Sequence, residues 1–201
     1  MNPLEGVRIV EVTTNASGPL ATSLLADQGA DVIRLETIGM GDPSRHVGGV
    51  RGGVTGYTAY MNRNKRSVAV DLKDDRVRPV LYELIKTADV FVQNSRPGAL
   101  ARAGLGYDAL HEINPRLIYA SISGFSADGP GAGQRVYDPV IQGASGLASA
   151  QGMGEEKPVL VKTIASDKIA AYTAAQAISS ALFARERGVV GGHEIKCSMP
   201  S

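Results

Sequence analysis

Apolar residues along this chain gather into short β-branched runs, and stretches with a helical period separate the runs. Residues 7–12, Val7-Arg8-Ile9-Val10-Glu11-Val12, read as a first strand. A turn at Ser17-Gly18-Pro19 then starts a helix through Leu20, Leu24 and Leu25, with Gly29 as its stop. Residues 31–35 form a second strand, so 7–35 make one β-α-β unit with a parallel pair and a right-handed crossover. Between residues 39 and 56 glycine and polar residues dominate without a period, which predicts a long irregular loop. Ordered loops of that length tend to be functional. Residues 67–72 are a third strand, and Val77, Val80, Leu81, Leu84 and Ile85 then mark one face of a helix that tolerates Pro79 in its first turn. A strand at 89–92, a short helix at 107–113 and a strand at 117–122 follow. Beyond Gly124 come a glycine-rich turn, a small-residue stretch over 136–150, a helix from Asp167 to about Arg187 and a last strand at 193–198.

Strand and helix alternate throughout, which predicts an α/β fold: a Rossmann-like, doubly wound, mostly parallel sheet flanked by helices. Ligands of such sheets sit beyond the carboxyl ends of the strands. The 201 residues suit one domain with a core of its own, and 24 glycines fit many tight strand-to-helix turns. A net charge of +1 offers no global field for nucleic acid or an anionic membrane, so any anion site must be local. The single Cys197 permits no internal disulfide, and three scattered histidines show no zinc spacing. No metal is expected, and a reducing, cytoplasmic setting is. No stretch approaches the roughly 20 apolar residues of a membrane span.

The loop after the first strand, Thr13-Thr14-Asn15-Ala16-Ser17-Gly18-Pro19, lacks the glycine fingerprint of a dinucleotide site, and Gly39-Met40-Gly41 has Ser44 where the third glycine should fall. NAD is therefore not expected. Arg63, Lys65, Arg66 and Lys73 bracket the third strand, while Arg96 and Arg102 follow the fourth. They read either as solvated surface charge or as two strand-end loops converging on one polyanion. Ser166-Asp167 opens a helix whose Ala170, Ala174, Ile178 and Leu182 lie four apart, with Ser166 as its expected cap. A carboxylate in that first turn feels the positive end of the helix dipole, which favours an ionised nucleophile but also occurs where Asp only stabilises the helix. His46, His111 and His193 have no visible partners, and Cys197 reads as a buried, inert thiol.

Taken together, Pro3-Leu4-Glu5-Gly6-Val7-Arg8-Ile9-Val10-Glu11, Ala16-Ser17-Gly18-Pro19 and Gly29-Ala30-Asp31-Val32-Ile33-Arg34-Leu35-Glu36 resemble the start of the class III CoA-transferases. The likeness continues in order through Asn64-Lys65-Arg66-Ser67, Asp71-Leu72-Lys73, Ala88-Asp89-Val90-Phe91-Val92-Gln93-Asn94, Arg96-Pro97-Gly98-Ala99-Leu100, Asn114-Pro115-Arg116-Leu117-Ile118-Tyr119 and Ser123-Gly124-Phe125. The resemblance implies that residues 1–201 are a CoA-binding large domain, without the small domain and C-terminal return segment of the family. It also implies an interlocked homodimer in the full-length form.

The family's nucleophilic aspartate falls on Asp167, and Asp138 matches an acidic position beside it. CoA contacts carry over to Ala16, Ser17, Leu72, Lys73, Asn94, Arg102, Arg135 and Tyr137. The implied substrates are an acyl-CoA and a carboxylic acid, exchanged through a mixed anhydride and an enzyme–CoA thioester without metal or redox cofactor. Formyl-CoA transferases carry glutamine at Ala16 and arginine at Thr37, so formate and oxalate are not favoured. α-Methylacyl-CoA racemases place a histidine where this chain has Val136, which favours transfer over racemisation. A noncatalytic CoA-binding fragment is the third reading.

Overall fold

A computed structural model of the chain describes residues 2–153, 157–188 and 191–199. Six strands, β1 (Arg8–Val12), β2 (Asp31–Thr37), β5 (Lys65–Val70), β6 (Val90–Gln93), β7 (Ile118–Ser123) and β8 (Glu194–Ser198), form one sheet in the order β5-β2-β1-β6-β7-β8. All five pairings are parallel. The chain runs outward from β1 through β2 to β5 and then crosses back to β6 on the other side of β1. That reversal makes the carboxyl ends of β1 and β6 the topological switch point, where a doubly wound sheet opens a crevice.

Period-2 alternation sorts the strand residues into two cores. Ile9, Val32, Val90, Val92, Ile118, Ala120 and Ile122 face α1 (Ser17–Ala26) and α8 (Ala165–Glu186). Val10, Ile33, Leu35, Phe91 and Tyr119 face α3 (Arg78–Lys86), α4 (Ala99–Arg102) and α5 (Tyr107–Ile113). Both faces are covered, as a parallel sheet requires. Two further helices, α6 (Asp138–Ala144) and α7 (Leu147–Gly152), precede α8, against which α6 packs.

The structure corrects the expected loop over 39–56. Pro43–His46 is a 3₁₀ turn whose leading residue, Asp42, accepts the Ser44 N–H at 2.7 Å. Strands β3 (Val50–Arg51) and β4 (Val54–Thr55) form a hairpin across Gly52-Gly53, both at positive φ, and α2 (Gly56–Asn62) follows with Thr55 capping the Thr58 N–H. Two-residue strands are too short to show a period. The third main-sheet strand also starts at Lys65 rather than at 67, because β2 extends the pairing to Val32↔Lys65. Among the described residues no helix is long and apolar enough to cross a membrane.

Under the switch point lies a buried ionic cluster. Arg34 of β2 is 1% exposed and sits among Glu11, Glu36 and Asp42, all buried. Lys65 closes the cluster by donating to Glu11 at 2.9 Å. The cluster reaches the β1 loop through backbone contacts: Arg34 donates to the Thr13 carbonyl at 3.3 Å, and Asp42 accepts the Asn15 N–H at 3.1 Å. Replacing Arg34 by Met leaves these carboxylates short of a counter-charge in a dry site. Urea unfolding is expected to show a loss of about 3–5 kcal/mol, and a loss below about 1 kcal/mol would contradict the role assigned to Arg34.

Candidate functional site

At the carboxyl end of the sheet, two loops of the switch point are tied to each other. Asn94, just past β6, donates to the Thr14 carbonyl and accepts the Thr14 N–H, both at 2.8 Å. Behind this tie, α1 begins so close that a Cβ on Gly18 would stand 2.6 Å from the Thr13 methyl carbon and 3.2 Å from the Asn94 amide carbon. Only glycine lets the helix start there, and its start places Ser17 against the first turn of α8.

That first turn carries Asp167. The residue before the helix, Ile164, offers no side-chain cap, and Ser166, the expected cap, is itself buried within the turn. The cap comes instead from another helix: Asp138 of α6 accepts the Asp167 N–H at 2.9 Å. Gln142, one turn further along α6, donates to the other Asp138 oxygen at 2.5 Å and accepts the Val161 N–H at 2.8 Å. The segment entering α8 is thereby pinned to α6, and two carboxylates are brought to one place.

Ser17 lines the same cavity as Asp167, and its backbone N–H and hydroxyl favour the ionised form of that carboxylate. Even so, the carboxyl is pushed up to about 6, first by burial and then by the charge of Asp138, with the Ser17 donors pulling the other way. The dipole of α8 alone predicts a more acidic group. Burial and a like charge outweigh it here. At pH 7 roughly ten molecules in eleven still carry the carboxylate, so the group is ionised but desolvated.

Tyr57 of α2, half-buried, lies within electrostatic reach of the site. Its phenol is pushed up to about 12 by burial and then by the charges of Asp167, Asp42 and Asp138, so it keeps its proton and stays a donor. Tyr57 and Gln142 are the members that sequence reasoning missed. For Gln142 the signal was its place four residues after Asp138 on a helix. For Tyr57 the hydroxyl of Thr55, capping three residues on, was the only local cue.

Asp167 lines a cavity of about 130 Å³ with Ser17, Ala16, Ile122 and Met199. The cavity shares Thr14, Asn15, Asn94, Gly124, Val136 and Tyr137 with a groove of about 650 Å³ that also includes Arg96, Arg102 and Arg135. No acidic side chain lines the groove among the described residues, and no ion pair engages its three arginines. The structure thus brings together Ala16, Ser17, Asn94, Arg102, Arg135, Tyr137 and Asp167, with Asp138 buried just beneath.

Leu72 and Lys73 are not among the lining residues. Leu72 packs on the second core, and Lys73 stands exposed in the turn after β5, two strands from β1. The suggestion that the basic residues around the third strand converge on an anion is corrected for three of them. Arg63 pairs with Asp27, Lys65 with Glu11 and Arg66 with Asp31, because they lie at the amino end of β5 or point into the sheet. His46 meets the Met40 carbonyl, His111 stacks on Tyr107, and neither lines the groove. Burial pushes the Cys197 thiol up. No group of three or more His, Cys, Asp or Glu side chains is placed to hold a metal among the described residues.

Known proteins supply an independent comparison. Acetyl-CoA:oxalate CoA-transferase of Acetobacter aceti is 40% identical over 192 residues, which is 95% of this chain and 49% of that protein. Succinyl-CoA:glutarate CoA-transferase of Mus musculus is 40% identical over 189 residues, 93% of this chain and 43% of that protein. The crystal structure of a CAIB/BAIF family protein from Brucella suis superposes with a TM-score of 0.92 at 35% identity, covering 99% of this chain and 54% of the other. The chain therefore spans about half the length of the curated relatives it matches. The sequence profile of CoA-transferase family III matches residues 4–201, and the chain belongs to that family.

Proposed function

We propose that this chain supplies the CoA-binding groove and the nucleophile of an acyl-CoA:carboxylate CoA-transferase. The observation that carries this is a groove lined by three arginines that have no acidic partner among the described residues, running into a cavity lined by the desolvated carboxylate of Asp167. Arginines suit the phosphates of a CoA-like polyanion. The acid suits the other end of such a ligand, where a thioester carbonyl would meet it.

The chemistry that the family resemblance implies is compatible with that arrangement. An Asp167 oxygen attacks the thioester carbonyl, and the C–S bond breaks to leave a mixed anhydride and CoA thiolate. The thiolate then attacks the aspartyl carbonyl and expels the donor carboxylate, leaving CoA on Asp167 as a thioester. The acceptor carboxylate attacks that thioester, releasing thiolate and forming a second anhydride. Attack of thiolate on the acyl carbon of this anhydride yields the new acyl-CoA and regenerates Asp167. Val136, which lines the same cavity, has no proton to exchange, and this supports transfer over α-carbon racemisation. Relatives are named for oxalate, for glutarate and as a probable fatty acyl-CoA transferase, and a carboxylic acid is the acceptor class this reading favours.

Incubation of the protein with an acyl-CoA and hydroxylamine should convert Asp167, and no other carboxyl, into a hydroxamate that peptide mass spectrometry locates. Modification elsewhere, or none under turnover, contradicts the reading. Because only the ionised acid attacks, kcat/KM should fall about tenfold per pH unit below about 6. A flat profile between about pH 4.5 and about 6, where the carboxyl takes up its proton, would count against Asp167.

The same charge should cost stability. The folded-state value of Asp167 lies above its ordinary 3.8, so the native state binds the extra proton between about 4 and about 6. Stability therefore falls as pH rises through that window. Asp167→Asn removes the buried charge, and thermal or urea unfolding at pH 8 should show a gain on the order of 2 kcal/mol that shrinks as pH falls toward 4. A variant less stable than the native protein at pH 8 would contradict the assignment.

A further inference from the structure

We propose that Ser17, counted above among the CoA contacts, acts instead on the aspartyl centre: its hydroxyl holds one Asp167 oxygen as the carbonyl oxygen and stabilises it when the thiolate adds. The inference rests on the proposed transferase reading and deepens it.

Three observations carry it. Ser17 is buried, opens the ten-residue helix α1, and lines the same small cavity as Asp167. Its hydroxyl and backbone N–H favour the ionised Asp167 carboxylate against the charge of Asp138, which accepts the Asp167 N–H. Its position is also fixed from outside. Asn94 clamps Thr14, Asp42 holds the Asn15 N–H, and the close approach at Gly18 leaves the start of α1 no room to shift.

A preorganised donor of this kind matters most when charge develops on its acceptor. Of the two Asp167 oxygens, one becomes the bridging atom of the anhydride and must be free to attack. The other stays doubly bonded to carbon in the anhydride and in the thioester. When the CoA sulfur adds to the aspartyl carbon, the carbonyl π pair moves onto that second oxygen. Collapse of the adduct returns the pair and breaks the bond to the bridging oxygen, which leaves with the donor carboxylate. The oxygen that accepts from the Ser17 hydroxyl is the one restrained from attacking. It is therefore the one that receives the negative charge, with the positive end of α1 behind it. A contact to CoA requires nothing of the Asp167 carboxylate, and the alternative of an ordinary helix start leaves the hydroxyl turned to solvent or to its own helix.

Ser17→Ala and Ser17→Thr test this together, the second retaining the hydroxyl. Carbon-13 NMR titration of the Asp167 carboxyl should move upward in pH for Ser17→Ala and stay near the native midpoint for Ser17→Thr. With acyl-CoA and hydroxylamine, Ser17→Ala should slow turnover about 10–100-fold while KM for the acyl-CoA changes less than about twofold, and Ser17→Thr should recover most of the rate. A KM that rises while kcat holds, or an Asp167 titration indifferent to Ser17→Ala, overturns the proposal and returns Ser17 to the CoA contacts. If the native protein forms no hydroxamate at all, the transferase reading fails separately, because the titration still reports whether Ser17 touches Asp167.

Discussion

One backbone hydrogen bond organises the site: the Asp167 N–H, donated to a buried carboxylate on another helix. A helix start needs acceptors for its first amides, and Asp138 supplies one from α6. The consequence is electrostatic. The cap is itself an acid, so the second acid is held within reach of a like charge and out of bulk water. That raises Asp167 toward neutrality without neutralising it, which a carboxylate nucleophile requires. The bond lies inside the fold and owes nothing to a ligand, so the site is preorganised before any substrate arrives.

The ionic cluster beneath the switch point serves the same end from the other side. Glu11, Arg34, Asp42 and Lys65 are costly to bury, and well-packed apolar residues would hold the sheet as firmly. What apolar residues cannot do is accept the Asn15 N–H or donate to the Thr13 carbonyl. The loop from Thr13 to Ala16 follows the carboxyl end of β1, with Ala16 in the first core. Buried charges that grip its backbone fix it where Ser17 and the groove need it.

Much of this was legible along the chain, and the reasons for the gaps are physical. The main strands and α1, α3 and α8 show because each is long enough to express its period, and the seven-residue α5 shows because Gly106 and Pro115 stand on either side of it. The seven-residue α2 and α6, and the hairpin before α2, are too short for that and depend on nonlocal packing. The ordered motifs pointed to Asp167, but its environment could not be read, since the acid that shifts it lies 29 residues away in sequence. The basic residues misled for the same reason. Lys65 finds Glu11 across 54 residues, and only the folded sheet separates it from Arg96, Arg102 and Arg135, which line the groove and form no ion pair among the described residues.

A crystal structure of the protein with bound CoA bears most directly on whether groove and acid form one site. The diphosphate should lie among Arg96, Arg102 and Arg135, with the pantetheine thiol entering the cavity beside Asp167. A coenzyme seated instead in the separate cavity between Tyr107, Tyr119 and Lys196, or one whose thiol points away from Asp167, would contradict a single groove leading to one nucleophile.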